Sequence, residues 1–337
     1  MQPASAPDVL AARLDDFRAR IQRMRAELAK AIVGNDAIVT ECLIAVVGQG
    51  HVLLEGVPGL GKTSLVKALA RILGIGFGRV QCTPDLMPAD ILGTHLIQED
   101  DHGRRSLRFE RGPVFSPVLL VDEINRATPK TQAALLEVMQ ERAVTIGGER
   151  HVLPAPFVVL ATQNPLEMEG TYPLPEAQLD RFFFKLRVPF PNRDDLLEIS
   201  RRTTAFHEPV LDVVTDAPSL IALQELATTV PIAEAVLGYA ADLVLATHPD
   251  SGRSPETAKR FIAYGASPRG LQTLVRGARI RCLIEGRTAV SADDIRAVAA
   301  PALRHRIIRN FEGEAEGVDG DRLVQAILAA VPAPGRA

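Results

Sequence analysis

Residues 56–63, GVPGLGKT, constrain this chain more than any other stretch. Gly56 is separated by four residues from Gly61-Lys62-Thr63, which is the pattern of a phosphate-binding loop. The apolar run HVLLE precedes it and predicts a buried strand, and SLVKALARIL follows with the apolar spacing of a helix. Glycines let backbone N–H groups turn toward phosphate oxygens, and the helix N-terminus adds positive potential. This context favours nucleotide binding over a glycine-rich turn that matches by chance.

The side chains of the loop have predicted roles. Lys62 is expected to reach the β and γ phosphates, and the Thr63 hydroxyl is expected to bind Mg²⁺. The loop residues predicted to bind nucleotide are Gly56, Pro58, Gly59, Leu60, Gly61, Lys62, Thr63 and Ser64.

Composition excludes several classes of protein. The net charge of −3, with 23% charged residues, disfavours a nucleic-acid-binding arm, although a local basic patch would not appear in the sum. The three cysteines are far apart and have no disulfide or metal-binding spacing, which is typical of a reducing compartment. The N-terminus has no signal-peptide core and no apolar run is long enough to span a membrane. We therefore expect a cytoplasmic protein without a membrane span.

The order of apolar runs predicts the architecture. Five strand-like runs alternate with helical segments between residues 33 and 190, which indicates an α/β fold with a parallel sheet covered on both faces. Two hairpins are predicted within it, at 94–112 around Asp100–Gly103 and at 143–154 around Gly147-Gly148. From Arg193 to about Ala330 the pattern is helical, and Ser291 with Asp293 and Asp294 marks one helix start. The predicted domains are an N-terminal helix at 1–30, an α/β core at 31–190 and a helical domain at 193–330.

The N-terminal helix carries one apolar stripe. Its members recur every three or four residues and are Leu10, Leu14, Phe17, Ile21, Met24 and Leu28. A short coiled coil and a helix packed on the main domain both fit this spacing, and the shortness of the stripe favours packing.

A second motif restricts the chemistry. Residues 118–126 read VLLVDEINR, so Asp122 and Glu123 follow an apolar strand, at the end where α/β sheets bind ligands. Asp122 is expected to help hold Mg²⁺, and Glu123 to orient and deprotonate the attacking water. No Asn-Lys dipeptide exists for guanine recognition, and a small-molecule kinase would not need Glu123. The motif favours ATP hydrolysis over a merely solvated acidic pair.

Three further residues are catalytic candidates, each with a simpler alternative. Asn164, in ATQNP, could hold the attacking water or the γ-phosphate, or could only start an Asn-Pro turn. Arg181 could reach the γ-phosphate of a neighbouring subunit, where such an arginine contributes roughly 10³–10⁵ in rate, or could pair with Asp180. Arg269 stands at a helix start, where a cation opposes the helix dipole; it could contact ATP from the helical domain or be simply exposed.

Together these motifs resemble the AAA+ ATPases, and within them the MoxR family. The segments that carry the resemblance are GVPGLGKT (56–63), RFERGPVF (108–115), LLVDEINRA (119–127), LLEVMQERAVTIGG (135–148), ATQNP (161–165), LPEAQLDRF (174–182) and GASPRG (265–270). The match spans roughly residues 28–330, and the combination is highly specific although the first motif alone would not be.

The resemblance implies an αβα P-loop ATPase core with a small all-helical lid domain, and a ring, expected to be a hexamer, with ATP and Mg²⁺ at subunit interfaces. By matching motif, Asn164 corresponds to sensor 1, Arg269 to sensor 2 and Arg181 to the arginine that acts on a neighbour. Val33 and Gly34 match the segment that lines the adenine pocket. The hairpins correspond to inserts that commonly face the pore of the ring and touch the client.

Family members act as chaperone-like remodellers, often with a von Willebrand factor A domain partner, and help to insert cofactors or metals into enzymes. The leading hypothesis is therefore an ATP-driven remodeller of a protein client. One alternative is a nucleic-acid-stimulated motor, because Arg104, Arg105, Arg108 and Arg111 cluster in the first hairpin; we favour a solvated hairpin face. A magnesium-chelatase-like subunit is a further alternative. A scaffold that does not hydrolyse ATP is disfavoured because every catalytic position is filled.

Overall fold

The computed structural model describes residues 6–99, 105–166, 170–204 and 209–335. The strands are β1 (Val52–Glu55), β2 (Phe77–Gln81), β3 (Gly93–Glu99), β4 (Arg105–Arg111), β5 (Val118–Asp122), β6 (Ala143–Ile146), β7 (Glu149–Val152), β8 (Val158–Gln163), β9 (Phe184–Arg187), β10 (Ile262–Tyr264) and β11 (Ile308–Arg309). The helices are α1 (Ala6–Ala31), α2 (Asp36–Val47), α3 (Lys62–Leu73), α4 (Pro88–Leu92), α5 (Pro129–Glu141), α6 (Glu176–Leu179), α7 (Arg193–Thr203), α8 (Ala217–Thr228), α9 (Glu234–Leu245), α10 (Glu256–Phe261), α11 (Pro268–Ile284), α12 (Ala292–Leu303), α13 (Phe311–Ala315) and α14 (Gly320–Ala330).

The central sheet confirms the predicted α/β fold. Its strand order is β2-β5-β8-β1-β9, and every pairing is parallel. Successive strand residues point to opposite faces, so Val118 and Leu120 join one apolar core while Leu119 and Val121 join the other. Because both faces are covered, the strands read as continuous apolar runs rather than alternating ones.

The two cores differ in which helices cover them. One face is covered by α1, α2 and α3 together with helices of the C-terminal region, among them α8, α11 and α12. The other face is covered by α5 and residues around α4. The C-terminal helices therefore pack beside the sheet, on the same face as the N-terminal helix.

The apolar stripe of α1 is part of the main core. Phe17, Ile21, Met24 and Leu28 are at most 1% exposed, and α1 contacts both α3 and α11. The structure thus shows packing on the main domain, the interpretation that the short stripe favoured.

Both predicted hairpins are present. Strands β3 and β4 form one antiparallel pair and β6 and β7 form the other. Gly147 and Gly148 form the second turn with φ of 60° and 87°, a conformation that glycine adopts without strain. The Phe109 ring stacks on His151 at a centroid distance of 4.2 Å, so the hairpins pack against each other. The predicted first turn, with Arg104, lies outside the described residues.

The C-terminal region is mainly helical. Strand β9 ends at Arg187 and α7 begins at Arg193, so the change in character falls where the sequence indicated, while the division into separate domains stays a prediction. Ser291 and Asp294 form a capping box at the start of α12, as expected. The region also contains a short antiparallel pair, β10 with β11, which the helical pattern did not predict because each strand has at most three residues. No helix in the described ranges combines the length and apolarity needed to cross a bilayer.

Candidate nucleotide-hydrolysis site

The phosphate loop connects β1 to α3 and opens onto a cavity of about 360 Å³. The cavity brings together residues from three regions that are far apart in the chain. Its lining residues are Pro58, Gly59, Leu60, Gly61, Lys62, Thr63, Ser64, Asp122, Glu123, Thr162 and Asn164. Most of the predicted site residues therefore meet in one place.

The backbone of the loop shows why glycines are needed. Gly59 and Gly61 have φ of 84° and 74°, in the left-handed region that other residues rarely adopt. Gly61 caps α3 without any side-chain hydrogen bond, so no side chain covers the first N–H groups of this helix. Those groups are available for an anion. The Lys62 ammonium group donates to the carbonyl oxygens of Gly56 and Val57, which places it across the loop.

Asp122 stands at the end of β5 in a network of donors. Its Oδ1 accepts from Thr162 Oγ1 at 2.6 Å, and its Oδ2 accepts from Thr63 Oγ1 at 3.2 Å and from Arg79 Nη2 at 2.9 Å. Burial raises the pKa of Asp122, but the hydrogen bonds from Thr162, Arg79 and Thr63 outweigh burial and lower the pKa below its ordinary value. The carboxyl is therefore ionised at neutral pH. Thr63 and Asp122 present hard oxygen donors side by side, which fits the preference of Mg²⁺.

Glu123 adopts an uncommon backbone conformation. Its φ is 56°, in the left-handed region, and its N–H donates to Thr162 Oγ1 at 2.8 Å. Strain of this kind persists where surrounding structure enforces it and is common at active sites. The carboxylate accepts from Gln81 Nε2 at 2.8 Å and from Arg126 Nη1 at 3.4 Å. Glu123 thus lies at the cavity with its carboxylate held from the side of β2.

Three residues of this network were not predicted from the sequence. Arg79 and Gln81 are on β2, which pairs with β5 so that Gln81 is opposite Asp122. Thr162 is on β8, the other neighbour of β5. The strand order would have found them, because side chains at the ends of neighbouring parallel strands meet at one edge of the sheet.

Asn164 lies at the cavity and also makes a turn contact, while its catalytic role stays a prediction. It is buried just after β8 and lines the cavity. Its Oδ1 also accepts from the N–H of Leu166 at 3.1 Å, which is a turn contact. The amide therefore has a fixed orientation beside the phosphate loop.

Arg181 and Arg269 do not join this cavity. Arg181 Nη1 donates to the carbonyl of Leu136 at 2.6 Å, and its Nε is buried without a hydrogen-bond partner. The simpler alternative, a salt bridge between Asp180 and Arg181, is not present. Asp180 instead pairs with Arg306 at 2.9 Å and with Arg269 at 3.5 Å. Because Asp180 directly precedes Arg181 and pairs with Arg269, the two arginines lie in the same region.

Strand direction explains the separation. The phosphate loop, Asp122 and Asn164 follow the carboxyl ends of β1, β5 and β8, at what we call the carboxyl edge of the sheet. Arg181 precedes β9, and the N–H of Phe183 donates to the carbonyl of His51 just before β1. Arg181 therefore lies at the opposite, amino edge, about 13 Å away along a four-residue strand such as β1. Arg269 lies at the amino edge too, because it pairs with Asp180 beside Arg181, and it does not lie over its own phosphate loop.

Val33 and Gly34 precede α2. Gly34 has φ of 66°, and a Cβ there would lie 2.8 Å from the carboxyl carbon of Asp195 in α7. A separate cavity of about 520 Å³ begins next to them, and Asn35, Asp36, Phe190 and Asp195 contribute to its lining. Val33 and Gly34 border this cavity without lining it, and their contact with adenine stays a prediction.

The fold and the site agree with comparisons to known proteins. Residues 51–184 match the model of an ATPase family associated with various cellular activities (AAA), and residues 256–327 match an AAA lid domain. The chain is 41% identical over 314 residues to chaperone MoxR1 of Mycobacterium tuberculosis, covering 93% of this chain and 82% of that protein. It is 36% identical to protein MoxR of Methylorubrum extorquens, covering 96% and 98%. The chain belongs to the MoxR family of AAA+ ATPases.

A solved structure supports this MoxR-family assignment. The crystal structure of a putative ATPase from Cytophaga hutchinsonii superposes with a TM-score of 0.89 at 39% identity, covering 96% of this chain and 97% of that one. The agreement extends through the C-terminal helices, so their position beside the sheet belongs to a fold with a close solved counterpart.

Proposed function

We propose that this MoxR-family protein hydrolyses ATP, with Mg²⁺, at sites formed between two copies of the chain in a ring. The observation that carries the proposal is the separation of the catalytic candidates between two edges of one sheet. The phosphate loop, Asp122, Glu123 and Asn164 share a cavity at the carboxyl edge, while Arg181 and Arg269 lie at the amino edge. Repeating one head-to-tail contact brings the amino edge of each copy to the carboxyl edge of the next, and closure of the rotation gives a ring.

The residues of the cavity suit the steps of hydrolysis. The loop N–H groups and Lys62 bind phosphate oxygens, and Thr63 with Asp122 would hold Mg²⁺, which neutralises charge on the phosphates when bound. Glu123 accepts a proton from the attacking water, and the fixed amide of Asn164 orients that water. Arg181 and Arg269 of the neighbouring copy stabilise the charge that develops on the γ-phosphate.

Subunit mixing tests the composite site. A Lys62→Ala chain lacks the phosphate-loop ammonium group but keeps Arg181, and an Arg181→Ala chain has the reverse defect. Each variant alone is expected to be inactive, and a mixture is expected to recover part of the phosphate release because some interfaces combine two intact halves. Hydrolysis at the wild-type rate by isolated Arg181→Ala monomers would contradict the proposal.

We further propose that hydrolysis drives the remodelling of a client protein, with a von Willebrand factor A domain protein as partner, in the cytoplasm. The first hairpin supports this, because it presents exposed apolar side chains: Leu96, Ile97 and Leu107 are 51–71% exposed. A Glu123→Gln chain, loaded with ATP, should retain client and partner in a pull-down that the Lys62→Ala chain does not reproduce. Retention of the same proteins by both chains would refute an ATP-dependent interaction.

The arginines of the first hairpin do not favour a nucleic-acid motor. Arg105 pairs with Glu99 at 3.2 Å, and the Arg111 guanidinium lies 5.3 Å from the Phe115 ring centroid. Two of the clustered cations are thus engaged within the protein. Salt-sensitive DNA binding that raised the ATPase rate would reverse this ranking.

A further inference from the structure

Three arginines surround the turn at Gly48 and Gln49, between α2 and β1. Arg276 of α11 donates to the carbonyl of Gly48, and Arg142 donates to the backbone and side-chain oxygens of Gln49 at 3.3 and 3.4 Å. Arg279, one turn along α11, has a buried Nε without any hydrogen-bond partner. We call Arg142, Arg276 and Arg279 the arginine cluster.

No carboxylate neutralises the arginine cluster within the described ranges. Burial lowers the pKa of Arg276, and the positive charge of Arg142 lowers it further. The cluster is only partly buried, since Arg142 and Arg276 are exposed and Arg279 is half-buried. By comparison, Arg306 pairs with Asp180, and Arg304 pairs with Asp321 at 2.7 Å. Gathering like charges without a counter-charge is unfavourable, so the cluster is a site that an anion would stabilise.

The size of the cavity restricts the anion. Arg276 and Arg279 line a small cavity of about 30 Å³ together with Gln49, Gln224 and Thr228. That volume holds about two water molecules. A planar carboxylate has this size, and a guanidinium can bind it through two parallel N–H···O bonds. The cavity therefore has room for a small anionic group such as the carboxylate of a side chain.

The position of the cluster indicates which protein supplies the carboxylate. Gly48 and Gln49 precede β1, and Arg276 lies 5.8 Å from the ring centroid of Phe183, so the cluster is at the amino edge with Arg181. The carboxyl edge carries acidic side chains, because α7 begins there with Arg193, Asp194 and Asp195. Arg193 lies 3.7 Å from Asp194, but the Asp194 side chain is 90% exposed. We propose that Arg276 and Arg279 bind an acidic side chain at the carboxyl edge of the neighbouring copy. This inference rests on the composite site proposed above.

Chemical modification tests the contact without changing the sequence. Phenylglyoxal modifies accessible guanidinium groups, and mass spectrometry measures the extent at each arginine. Arg276 and Arg279 are expected to be modified in the monomer and protected at least several-fold in the assembled protein with ATP. Arg322, exposed on α14 in the described structure, is the matched reference and should be modified equally in both states. Equal modification of Arg276 and Arg279 in both states would overturn the proposal.

Charge reversal gives a second test. Replacing Arg276 and Arg279 by Glu should raise the concentration needed for assembly at least ten-fold in mass photometry, because like charges then meet across the interface. The double Lys variant should assemble far better than the double Glu variant, and Arg322→Glu should behave as wild type. Binding of a fluorescent ADP analogue by each monomer shows that it is folded. A double Glu variant that assembles like the wild type would contradict the carboxylate site. A double Glu variant that assembles normally but loses salt-sensitive DNA binding would also contradict it.

The outcomes separate this inference from the proposed function. If the Lys62→Ala and Arg181→Ala mixture recovers hydrolysis while the double Glu variant assembles normally, only the carboxylate site is wrong. If Arg276 and Arg279 are protected on assembly but the mixture stays inactive, the carboxylate site stands and the composite catalytic site is wrong.

Discussion

Arg79 and Thr63 donate to the same oxygen of Asp122: Arg79 Nη2 lies 2.9 Å from Oδ2 and Thr63 Oγ1 lies 3.2 Å from it. The same Arg79 nitrogen also donates to Gln81 Oε1 at 2.8 Å, and Gln81 in turn donates to Glu123. The carboxylate expected to hold the metal and the carboxylate expected to act as base are therefore connected through two side chains of β2.

This connection predicts how the metal requirement responds to Arg79. The guanidinium and Mg²⁺ would compete for one oxygen of Asp122, so Arg79→Gln should lower the Mg²⁺ concentration needed for half-maximal binding of a fluorescent ATP analogue. The Arg79 side chain is 44% exposed, so solvent weakens the pair and the expected change is roughly two- to five-fold. Arg71→Gln on α3 is the matched control. A weaker Mg²⁺ requirement in the control, or a stronger one in Arg79→Gln, would show that competition is not the role of Arg79.

Replacing the proposed base separates binding from hydrolysis. Glu123→Gln keeps the size of the side chain but removes the proton acceptor, so phosphate release should fall by about 10²–10⁴ while ATP affinity stays within a few-fold of wild type. Glu137→Gln, on the exposed face of α5, is the control and should keep full activity. Release rates and fluorescent-nucleotide titration measure the two quantities, and full hydrolysis by Glu123→Gln would remove Glu123 from its assigned role.

A buried histidine predicts a pH dependence of stability. His51 Nδ1 accepts from the N–H of Val159 at 2.9 Å, and its Nε2 lies 3.1 Å from the carbonyl of Met139. Burial lowers the pKa of His51 from 6.5 to about 4. Because the unfolded chain binds the proton more tightly, stability is highest above pH 6.5 and falls as the pH drops toward 4.

The slope of unfolding free energy against pH distinguishes the contribution of His51 from those of other groups. His51→Gln should be less stable at neutral pH because it loses the buried contacts, but its unfolding free energy should fall less steeply between pH 6.5 and 4, by about 1.4 kcal/mol per pH unit. The buried His305 also has a lowered pKa, and it is present in both proteins, so it cancels in the comparison. Urea unfolding at a series of pH values gives both slopes, and parallel slopes would exclude His51 as a source.

The N-terminal helix is expected to contribute directly to stability. Phe17 is fully buried between α1 and the main core, so Phe17→Ala should cost about 3–5 kcal/mol through lost burial and the cavity left behind. Gln22→Ala, on the exposed side of the same helix, should change stability little. Urea midpoints measure both effects. Equal midpoints for the two variants would indicate that α1 is dispensable for the folded core.

Much of the molecule could be predicted from local sequence. Apolar runs located the five strands of the sheet, glycine pairs located a hairpin turn, and Ser291 with Asp294 located a helix start, because each feature depends on residues close together in the chain. The cavity residues of the phosphate loop, Asp122, Glu123 and Asn164 could be placed for the same reason, since each follows a strand of a parallel sheet.

The rest depends on contacts that no local pattern encodes. Arg79 reaches Asp122 across 43 positions of sequence, and this pairing follows from the order of strands in the sheet. The sequence suggested that Arg269 could contact ATP from the helical domain, but the position of its helix is set by packing of α11 against α1, α2 and α8. Local sequence predicted the helix start at Pro268 and could not predict on which side of the sheet it would lie.

The packing of α1 against two other helices has a mechanical consequence. Helix α1 contacts α3, whose first turn is the end of the phosphate loop, and α11, whose first turn carries Arg269. In the proposed ring, a displacement of α3 on nucleotide release would be transmitted through α1 to α11, the helix that carries Arg269. In a closed ring, such a coupling would favour ATP hydrolysis that proceeds from one subunit to the next over independent hydrolysis at each interface.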